Sequence, residues 1–575
     1  MDYMKKYQSW LDFKRLDEDL RVQLEEISNN EEEIKDRFYK ELAFGTAGLR
    51  GKLGAGTNRM NRLVIARATK ALAQVITEEG PKAMQKGIVF AHDCRIMSPE
   101  FAREAALIMA SSGIKTYLFE SLRPTPELSF AVRYLGCTSG VNITASHNPK
   151  IYNGYKVYWT EGSQIKDNIA NRVLDKISKL DIFEEYKTLT FDEAVKSGKL
   201  TIIGEEVDRA YYDQVQAQSL RDDSELDKSL RIVYTPLNGA GYKAVKTMLA
   251  EKGYENVFIV KEQEDPDGTF PTIAYPNPEF VEVFEYADKL CEKVNGDIII
   301  ATDPDSDRLA IEVVHKGKII PINGNQAGVL IINYLLSTMH EKNIMPENPV
   351  IVKSIVTGEM GTAICKKYGV EMISVLTGFK NICELSNRYA LTKEKTYVLG
   401  YEESVGYNIG TFVRDKDGVT AAVMFAEMAA YYKKLGKTLY DVLEDLFKEF
   451  GYYKEKGISI VLEGEVGQQR IARMMEQFRN IYPKEIMGVK VESTIDYLTQ
   501  EKTIVKTNEK SIVDKEKTNA FQVTYEDTSW YTLRPSGTEP KIKFYLYVND
   551  KDEKIAQSKL ETFEKIVLEV INGIE

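Results

Sequence analysis

Along most of this chain, strand-like apolar runs alternate with helix-like segments, and this alternation limits the possible folds more than any other feature. A strand-like run at residues 88–92 precedes a helix that we expect to have Ser98 as its N-cap and to end at Gly113. The same alternation recurs over residues 231–314 and 350–399. Helices that connect neighbouring strands indicate βαβ units, so the pattern predicts three consecutive α/β domains with mixed sheets.

The end of the chain has a different character. Strand pairs precede a long amphipathic helix from about Glu553 to Ile571, which predicts a C-terminal α+β domain. A chain of 575 residues is also too long for a single hydrophobic core. Polar stretches between the patterned regions suggest four domains, at residues 1–222, 223–324, 325–450 and 451–575.

A short polar turn between two strand-like segments carries a hydroxyl next to an imidazole. The turn contains Ser146 and His147, and Lys156 follows in the next strand-like segment. A serine becomes a useful covalent carrier only when nearby groups manage its proton and its charge, and both neighbours could do so. Taken alone, the turn could equally be an ordinary surface loop.

Alternating carboxylates follow the apolar run at residues 297–302, which predicts a buried strand. The carboxylates are Asp303, Asp305 and Asp307. Carboxylates this close repel one another unless a cation joins them, and oxygen-only ligands suit Mg²⁺. An EF-hand is excluded because Arg308 stands at the sixth loop position and Val314 at the twelfth. A solvated acidic turn remains the alternative.

Two further polar loops follow strand-like segments. Glu402 and Ser404 come after the strand-like run 396–399, and their oxygens could accept hydrogen bonds from sugar hydroxyls. The segment 534–540 combines an arginine, hydroxyls and a glycine, a composition that could bind a phosphate dianion. Taken singly, each loop is a weak signal.

In this order, the four loops resemble those of the α-D-phosphohexomutase superfamily, in particular its phosphoglucomutase branch. The resemblance covers nearly the whole chain. It extends to residues 44–51, 93–95, 123–126 and 377–380. It implies the four-domain plan of that superfamily, with three α/β domains and a C-terminal α+β domain around a deep central cleft.

The resemblance also implies the roles of individual residues. Ser146 would carry the transferable phosphoryl group, and this phosphate would join Asp303, Asp305 and Asp307 in binding Mg²⁺. We expect Arg50 and Arg308 to act at the same centre. The sugar would contact Glu402, Ser404 and Lys380. The phosphate that does not react would contact Arg534, Ser536, Gly537 and Thr538.

The implied reaction converts glucose 1-phosphate and glucose 6-phosphate through a glucose 1,6-bisphosphate intermediate. The general base would be Lys156 or His147, and Lys156 is favoured if burial and cationic neighbours lower its pKa. Tyr407 stands where phosphomannomutase-like members carry a histidine, which favours glucose over mannose. Phosphopentomutase, glucose-1,6-bisphosphate synthase and a non-catalytic sugar-phosphate binding protein are the alternatives.

Composition limits the partners. A net charge of −11 argues against nucleic-acid and anionic-membrane partners, because both would need a dominant basic surface. No apolar run reaches membrane-spanning length and no secretory signal is visible, so we expect a cytoplasmic protein. The five cysteines are scattered without metal-binding spacing, which indicates reduced thiols. We expect small sugar phosphates as partners, and a monomer or weak homo-oligomer.

Overall fold

The computed structural model describes residues 2–46, 48–462, 464–536 and 541–574. The chain divides into two compact units. The first contains residues 1–327 and 383–438, and the second contains residues 328–382 and 439–575.

The first unit opens with a small helical layer. Its helices are α1 (Asp2–Asp12), α2 (Glu18–Glu26) and α3 (Glu31–Phe38). Each helix buries one apolar stripe, and the buried side chains, among them Trp10, Leu24 and Phe38, form a separate small core. The side chain of Asn30 caps α3 by accepting a hydrogen bond from the backbone N–H of Glu33.

The first sheet has the strand order β1-β5-β4-β2-β3-β6. Its strands are β1 (Leu49–Lys52), β2 (Ile88–His92), β3 (Thr116–Phe119), β4 (Ser139–Ile143), β5 (Tyr152–Trp159) and β6 (Leu200–Ile203). The helices are α4 (Arg62–Glu78), α5 (Pro81–Lys86), α6 (Ser98–Ser111), α7 (Thr125–Tyr134), α8 (Asp167–Lys179), α9 (Phe191–Lys196) and α10 (Glu205–Gln216). Strands β2, β3, β4 and β6 pair in parallel, whereas β5 pairs antiparallel with both β4 and β1. The sheet is therefore mixed.

The start of α6 differs from the predicted N-cap. Ser98 is the first residue of the helix, and the preceding Met97 has a left-handed backbone conformation. The Ser98 hydroxyl donates to Asp93 Oδ1 at 2.8 Å instead of capping the helix. The prediction of Ser98 as N-cap was wrong because the buried carboxylate of Asp93, five residues earlier, takes its hydrogen bond.

The second sheet has the order β11-β10-β9-β7-β8. Its strands are β7 (Ile232–Thr235), β8 (Val257–Ile259), β9 (Ile298–Thr302), β10 (Leu309–His315) and β11 (Lys318–Ile322). The helices are α11 (Gly241–Glu251) and α12 (Glu285–Val294). Strands β7, β8 and β9 are parallel, and β10 returns antiparallel to β9, so the connection between β9 and β10 is a tight hairpin turn.

The third region contributes to both units. Its helices are α13 (Gly324–Glu341), α14 (Met360–Lys367), α15 (Phe379–Thr392), α16 (Gly418–Lys434) and α17 (Leu439–Phe450). Its strands are β12 (Pro349–Ser354), β13 (Glu371–Val375), β14 (Thr396–Glu402) and β15 (Gly406–Ile409). The parallel pair β12 and β13 belongs to the second unit. The antiparallel hairpin of β14 and β15 belongs to the first.

The C-terminal region is an antiparallel sheet with the order β16-β23-β22-β21-β18-β19-β20, in which β17 also pairs with β18. Its strands are β16 (Tyr452–Val461), β17 (Glu485–Ile486), β18 (Val489–Asp496), β19 (Glu501–Ile504), β20 (Glu509–Ile512), β21 (Phe521–Tyr525), β22 (Trp530–Pro535) and β23 (Lys541–Asp550). Its helices are α18 (Gly464–Asn480) and α19 (Glu553–Asn572). Apolar residues of both helices and the sheet form one core.

This architecture confirms the predicted fold class of three α/β regions with mixed sheets followed by an α+β region. The four domain boundaries and the central cleft stay predictions. Within the described part of the chain, every helix is too short or too polar to cross a membrane.

Candidate active site

The serine turn connects β4 to β5, and the pairing of these strands sets its surroundings. The register places Asn142 opposite Lys156, so the lysine lies in the strand that leaves the turn. Ser146 is 3% exposed and has a left-handed backbone with φ of +51°. Its N–H donates to Thr144 Oγ1 at 2.8 Å. A non-glycine residue in this conformation costs about 1–3 kcal/mol and persists only where its surroundings hold it.

The aspartate turn connects β9 to β10, as expected from the apolar run that precedes it. Ser306, at φ +52°, lets the chain reverse, and its N–H donates to the Asp303 carbonyl at 2.8 Å. The carboxylates of the turn are buried, and their oxygens come within 4.8 Å of one another. They belong to Asp303, Asp305 and Asp307.

The structure brings the serine and aspartate turns together. The Ser146 hydroxyl donates to Asp303 Oδ2 at 2.7 Å, and His147 Nδ1 lies 3.2 Å from the same hydroxyl. Lys156 Nζ lies 2.6 Å from Asp305 Oδ2 and 3.3 Å from Asp307 Oδ2. A serine hydroxyl, an imidazole, an ammonium and an acidic loop therefore meet at one buried centre.

The acidic loop is electrostatically strained. Burial and the carboxylates of Asp305 and Asp307 raise the pKa of Asp303 well above its ordinary value. Burial acts on Asp305 in the same direction, but the ammonium of Lys156 outweighs it and lowers the pKa of that carboxyl. Like charges about 4 Å apart repel by roughly 4 kcal/mol at an effective dielectric constant of 20. Full ionisation of the loop thus requires more positive charge than Lys156 supplies.

The loop has the donor set for a hard divalent cation. Asp305 Oδ1 and Asp307 Oδ1 are buried and have no hydrogen-bond partner among the described residues. Buried carboxylate oxygens are normally paired, and unpaired ones point to a missing ligand such as an ion. Since the ligands are all oxygens, the residues fit Mg²⁺.

The two candidate bases are in opposite electrostatic states. Burial would lower the pKa of Lys156, but Asp305 and Asp307 outweigh it and raise that pKa. The expectation of a lowered lysine pKa was therefore wrong. Desolvation, together with the positive charges of Arg308 and Arg50, holds the pKa of His147 well below its usual value. At neutral pH the lysine is protonated and the imidazole is neutral.

The two predicted arginines lie at this centre with different partners. Arg50 Nη1 donates to Asn148 Oδ1 of the serine turn at 3.1 Å. Arg308 follows the aspartates directly and pairs with Glu279. Burial would lower the pKa of Arg308, but Glu279, Asp307 and the other nearby carboxylates outweigh it and raise it. Both arginines therefore place a guanidinium group near the turn that carries Ser146.

Sequence reasoning gave no role to Thr125, at the start of α7, which binds the acidic loop, or to Asn142 of β4, which binds Thr125. Thr125 Oγ1 donates to Asp305 Oδ2 at 2.7 Å, and the Thr125 N–H donates to the Asp305 carbonyl at 2.8 Å. Asn142 Nδ2 in turn donates to Thr125 Oγ1 at 2.6 Å. Thr125 lies within the stretch 123–126 that carries the resemblance, but its position in sequence did not indicate its partner.

A second lysine was also missed. Lys416 Nζ lies 3.0 Å from Asp307 Oδ2 and 3.2 Å from Asp415 Oδ1. Asp415 also accepts hydrogen bonds from Tyr158 at 2.7 Å and Gln164 at 3.0 Å. The alternation of charges at 414–417, between a strand and a helix, resembles the aspartate turn and could have marked this segment.

The predicted sugar loop lies against the aspartate turn. Glu402 ends β14 and is 8% exposed, and Ser404 is half-buried. Val405 has a φ of +54°, and its carbonyl accepts a hydrogen bond from the Leu309 N–H at 3.0 Å. This bond joins the backbone of the sugar loop to the strand that follows the aspartates. The backbone next to Glu402 and Ser404 is therefore hydrogen-bonded to β10, the strand that follows the turn containing Asp303.

Tyr407 gives little support to the prediction of glucose over mannose. Its side chain is 1% exposed, and its ring makes an edge contact with Phe425 at a centroid distance of 5.9 Å. A core residue influences a sugar only through the packing of its strand, not by touching the substrate.

The remaining predicted residues lie in the second unit. Lys380 is in the first turn of α15 and is half-buried. Arg534 is near the end of β22, and the Ser536 N–H donates to the Lys541 carbonyl at 2.8 Å, across the start of the turn to β23. Gly537 and Thr538 lie outside the described residues.

A buried serine that is hydrogen-bonded to a buried acidic loop, within consecutive α/β domains, is the arrangement expected of α/β enzymes that transfer phosphoryl groups. Family models match in chain order: phosphoglucomutase/phosphomannomutase α/β/α domain I at residues 41–182, domain II at 209–317 and domain III at 323–450. A phosphoglucomutase from Staphylococcus epidermidis is 36% identical over 555 residues, covering 96% of this chain and 98% of that protein. A phosphoglucomutase from Staphylococcus haemolyticus is 36% identical over 523 residues, covering 90% and 93%.

The chain belongs to the phosphoglucomutase/phosphomannomutase family. This confirms the resemblance to the α-D-phosphohexomutase superfamily and the prediction of an isomerase. The fold agrees with two solved structures. The Paramecium phosphoprotein pp63/parafusin, a phosphoglucomutase, has a TM-score of 0.68 at 16% identity and covers 93% of this chain and 95% of that one. A family member from Burkholderia thailandensis has a TM-score of 0.66 at 18% identity and covers 92% and 98%.

Proposed function

We propose that this protein is a phosphoglucomutase that interconverts glucose 1-phosphate and glucose 6-phosphate through phospho-Ser146. The observation that carries the proposal is the 2.7 Å hydrogen bond from the Ser146 hydroxyl to Asp303 within the buried acidic loop. The names and the extensive coverage of the staphylococcal relatives support glucose as the sugar.

In the first half-reaction, the bond between phosphorus and Ser146 Oγ breaks as the 6-hydroxyl of glucose 1-phosphate forms a new bond to phosphorus. The 6-hydroxyl gives its proton to the neutral imidazole of His147, which passes it to the departing Ser146 Oγ. In the second half-reaction, the bisphosphate is reoriented. Ser146 Oγ gives its proton to His147 and takes the phosphoryl group from the 1-position, and the 1-oxygen receives that proton, which leaves glucose 6-phosphate. Such transfers depend on alignment and charge stabilisation more than on covalent assistance.

The acidic loop would bind Mg²⁺ through Asp303, Asp305 and Asp307, together with the phosphate on Ser146. When bound, the ion supplies Lewis-acid polarisation of the phosphoryl group. Lys156 and Lys416 balance the charge of the loop, because each ammonium lies within about 3.3 Å of a loop carboxylate.

His147 replaces Lys156 as the proposed general base that takes the proton of the attacking hydroxyl. Its neutral imidazole lies 3.2 Å from Ser146 Oγ, whereas the Lys156 ammonium is paired with two carboxylates and has no lone pair to accept a proton. Arg50 and Arg308 stabilise the negative charge that spreads over the phosphoryl oxygens during transfer.

Glu402, Ser404 and Lys380 would bind the sugar, and Arg534, Ser536, Gly537 and Thr538 would bind the phosphate that does not react. Glucose 1,6-bisphosphate would prime the serine.

The cysteines, all within the described residues, are free thiols, which supports a reducing compartment such as the cytoplasm. We also propose that the protein is a monomer or a weak homo-oligomer.

The test is a coupled assay for glucose 6-phosphate, primed with a trace of glucose 1,6-bisphosphate. We expect Ser146→Ala to lower kcat on the order of 10⁴-fold or more, because the covalent carrier is lost. Ser139→Ala is the matched control, since Ser139 is a buried serine of β4 whose hydroxyl bonds only to the backbone carbonyl of Tyr158 in the described structure.

Equal turnover of Ser146→Ala and Ser139→Ala would reject Ser146 as the carrier. The same assay on mannose 1-phosphate and ribose 1-phosphate tests the sugar. A higher kcat/KM for either one than for glucose 1-phosphate would replace glucose as the substrate, and release of bisphosphate as the main product would indicate a synthase.

A further inference from the structure

We propose that Arg95 is a positioning residue that holds the backbone of the serine turn so that Ser146 faces the acidic loop. This inference rests on the proposed function, in which Ser146 is the phosphoryl carrier. Arg95 lies in the connection between β2 and α6, distant in sequence from the turn that it contacts. It touches neither the serine hydroxyl nor the loop carboxylates through any hydrogen bond in the described structure.

The guanidinium of Arg95 binds several backbone carbonyls of the serine turn. Nη1 donates to Pro149 O at 2.9 Å and to Tyr152 O at 3.1 Å, and Nη2 donates to Ser146 O at 2.5 Å and also to Asn148 O. The carbonyls of Ser146, Asn148 and Pro149 lie in the connection between β4 and β5, and that of Tyr152 belongs to the first residue of β5. A buried loop needs donors for such groups, and the planar fork of arginine supplies all of them from one side chain.

Arg95 is itself held in place from two sides. Its side chain is 0% exposed, and Nε lies 3.3 Å from Asp93 Oδ2. Asp93 Oδ1 accepts hydrogen bonds from the Arg95 N–H at 2.9 Å and from the Ser98 hydroxyl at 2.8 Å. The Phe270 ring covers the other side, with the guanidinium carbon 5.1 Å from its centroid. The arginine is therefore pre-organised before it meets the turn.

The far end of the turn is tied to the same connection. Asn153 Nδ2 donates to Ile96 O at 2.9 Å and to Ser98 Oγ at 3.0 Å. The Arg95 network, defined as Asp93, Arg95, Ser98 and Asn153, thus fixes both ends of the segment 146–152. This explains how a non-glycine residue can keep a left-handed conformation at position 146.

The role follows from the repeated use of Ser146. The serine must present its oxygen in the same place when it gives a phosphoryl group and when it takes one back. A displacement of about 1 Å at a reacting atom can cost on the order of 10²-fold in rate. Within the serine turn Arg95 binds only backbone carbonyls, so its loss should reduce the rate of phosphoryl transfer without removing a contact to the sugar phosphate.

The test compares Arg95→Lys with Arg21→Lys. Lysine keeps the positive charge beside Asp93 but cannot reach carbonyls in a planar fork. Arg21 is the matched control because it also binds backbone carbonyls, at Leu11 and Phe13, in the N-terminal helical layer. Each enzyme is phosphorylated with glucose 1,6-bisphosphate, and transfer to glucose 1-phosphate is followed by rapid quench, well below the unfolding temperature.

For Arg95→Lys we expect the transfer rate to fall on the order of 10²-fold, with KM for glucose 1-phosphate changed less than about threefold. Amide hydrogen exchange should become faster in peptides that cover residues 144–153 and stay unchanged in peptides from the C-terminal sheet. Arg21→Lys should transfer at nearly the wild-type rate.

Three results would overturn the proposal: a wild-type transfer rate in Arg95→Lys, an equal loss of rate in Arg21→Lys, or faster exchange throughout the chain instead of in the serine turn. A wild-type protein that never becomes phosphorylated on Ser146 would instead reject the proposed function. In that case the exchange experiment still decides whether Arg95 holds the turn.

Discussion

The acidic centre of the first unit and the proposed phosphate-binding residues of the second unit differ in how deeply their polar groups are buried. Asp303, Asp305 and Ser146 are buried, and their neighbours already bind most of their polar atoms. Arg534 and Ser536 are half-buried residues at the end of a strand. The comparison indicates that the residues proposed to take part in bond making and breaking are held by the protein, whereas those proposed to bind the phosphate that does not react keep access to solvent.

The largest expected effect comes from changing a carboxylate of the buried acidic loop. Asp303→Asn removes a charge that accepts the Ser146 hydroxyl and the Arg308 N–H. Since metal polarisation contributes several kcal/mol and each 1.4 kcal/mol is tenfold, we expect kcat to fall about 10³-fold or more. Steady-state assays over a range of Mg²⁺ concentrations measure this. Full activity of Asp303→Asn, or of wild-type protein after chelation, would contradict the acidic centre.

The next effect concerns a residue that supports the centre without reaching the substrate. Thr125→Val keeps the side-chain shape but removes the hydrogen bond to Asp305 Oδ2. Loss of such a supporting bond typically costs 10–100-fold in metal affinity or activity, and we expect a drop of about 10-fold in kcat. Thr125→Ser keeps the hydroxyl and is the control. If the serine variant loses as much activity as the valine variant, packing and not the hydrogen bond explains the effect.

A change in the half-buried phosphate-binding residues should have a smaller effect, and on KM instead of kcat. Arg534→Ala removes a charge-assisted hydrogen bond to the phosphate that does not react, so KM for glucose 1-phosphate should rise on the order of 10-fold with kcat changed little. Lys543→Ala is the matched control, since Lys543 lies opposite Arg534 on β23 and carries the same charge. Equal effects of the two changes would mean that only net charge matters. A fall in kcat would contradict the distinction between the buried acidic centre and the half-buried phosphate-binding residues.

Local patterns in the sequence predicted the parts of this molecule that depend on neighbours along the chain. The apolar run at 298–302 and the aspartates after it became β9 and its turn, and the amphipathic pattern near the end became α19. These predictions succeeded because strand burial and helix periodicity are local properties.

Predictions failed where the partner lies far away in the sequence. The pKa of Lys156 depends on Asp305, 149 residues further on, and the role of Thr125 depends on the same carboxylate, 180 residues away. Ser98 failed as an N-cap for a different reason, because Asp93 lies only five residues earlier but is buried by the sheet, and its carboxylate accepts the Ser98 hydrogen bond. Such pairs are set by tertiary packing, which no single-residue pattern contains.

The smallest predicted effect concerns a buried carboxyl group outside the acidic centre. Glu127, in α7, is 0% exposed, and burial together with the nearby Asp208 raises the pKa of its carboxyl well above the ordinary 4.5. Below pH 4.5 the carboxyl is protonated in both the folded and the unfolded chain. As pH rises, only the unfolded chain ionises at first, so the folded state loses stability until its own raised pKa is reached.

Glu127→Gln removes this loss because the amide stays neutral. The variant should therefore gain in free energy of unfolding relative to wild type as pH rises, by about 1.4 kcal/mol per pH unit at most, starting near pH 4.5. Denaturant unfolding at about pH 5, 6 and 7 measures the difference. Glu120→Gln is the control, because Glu120 also pairs with Arg123 but its side chain is 54% exposed, and it should change stability by less than about 0.5 kcal/mol. If the difference for Glu127→Gln is constant with pH, Glu127 is ionised in the folded protein, and Arg123 Nε, 3.7 Å from Glu127 Oε1, balances its charge.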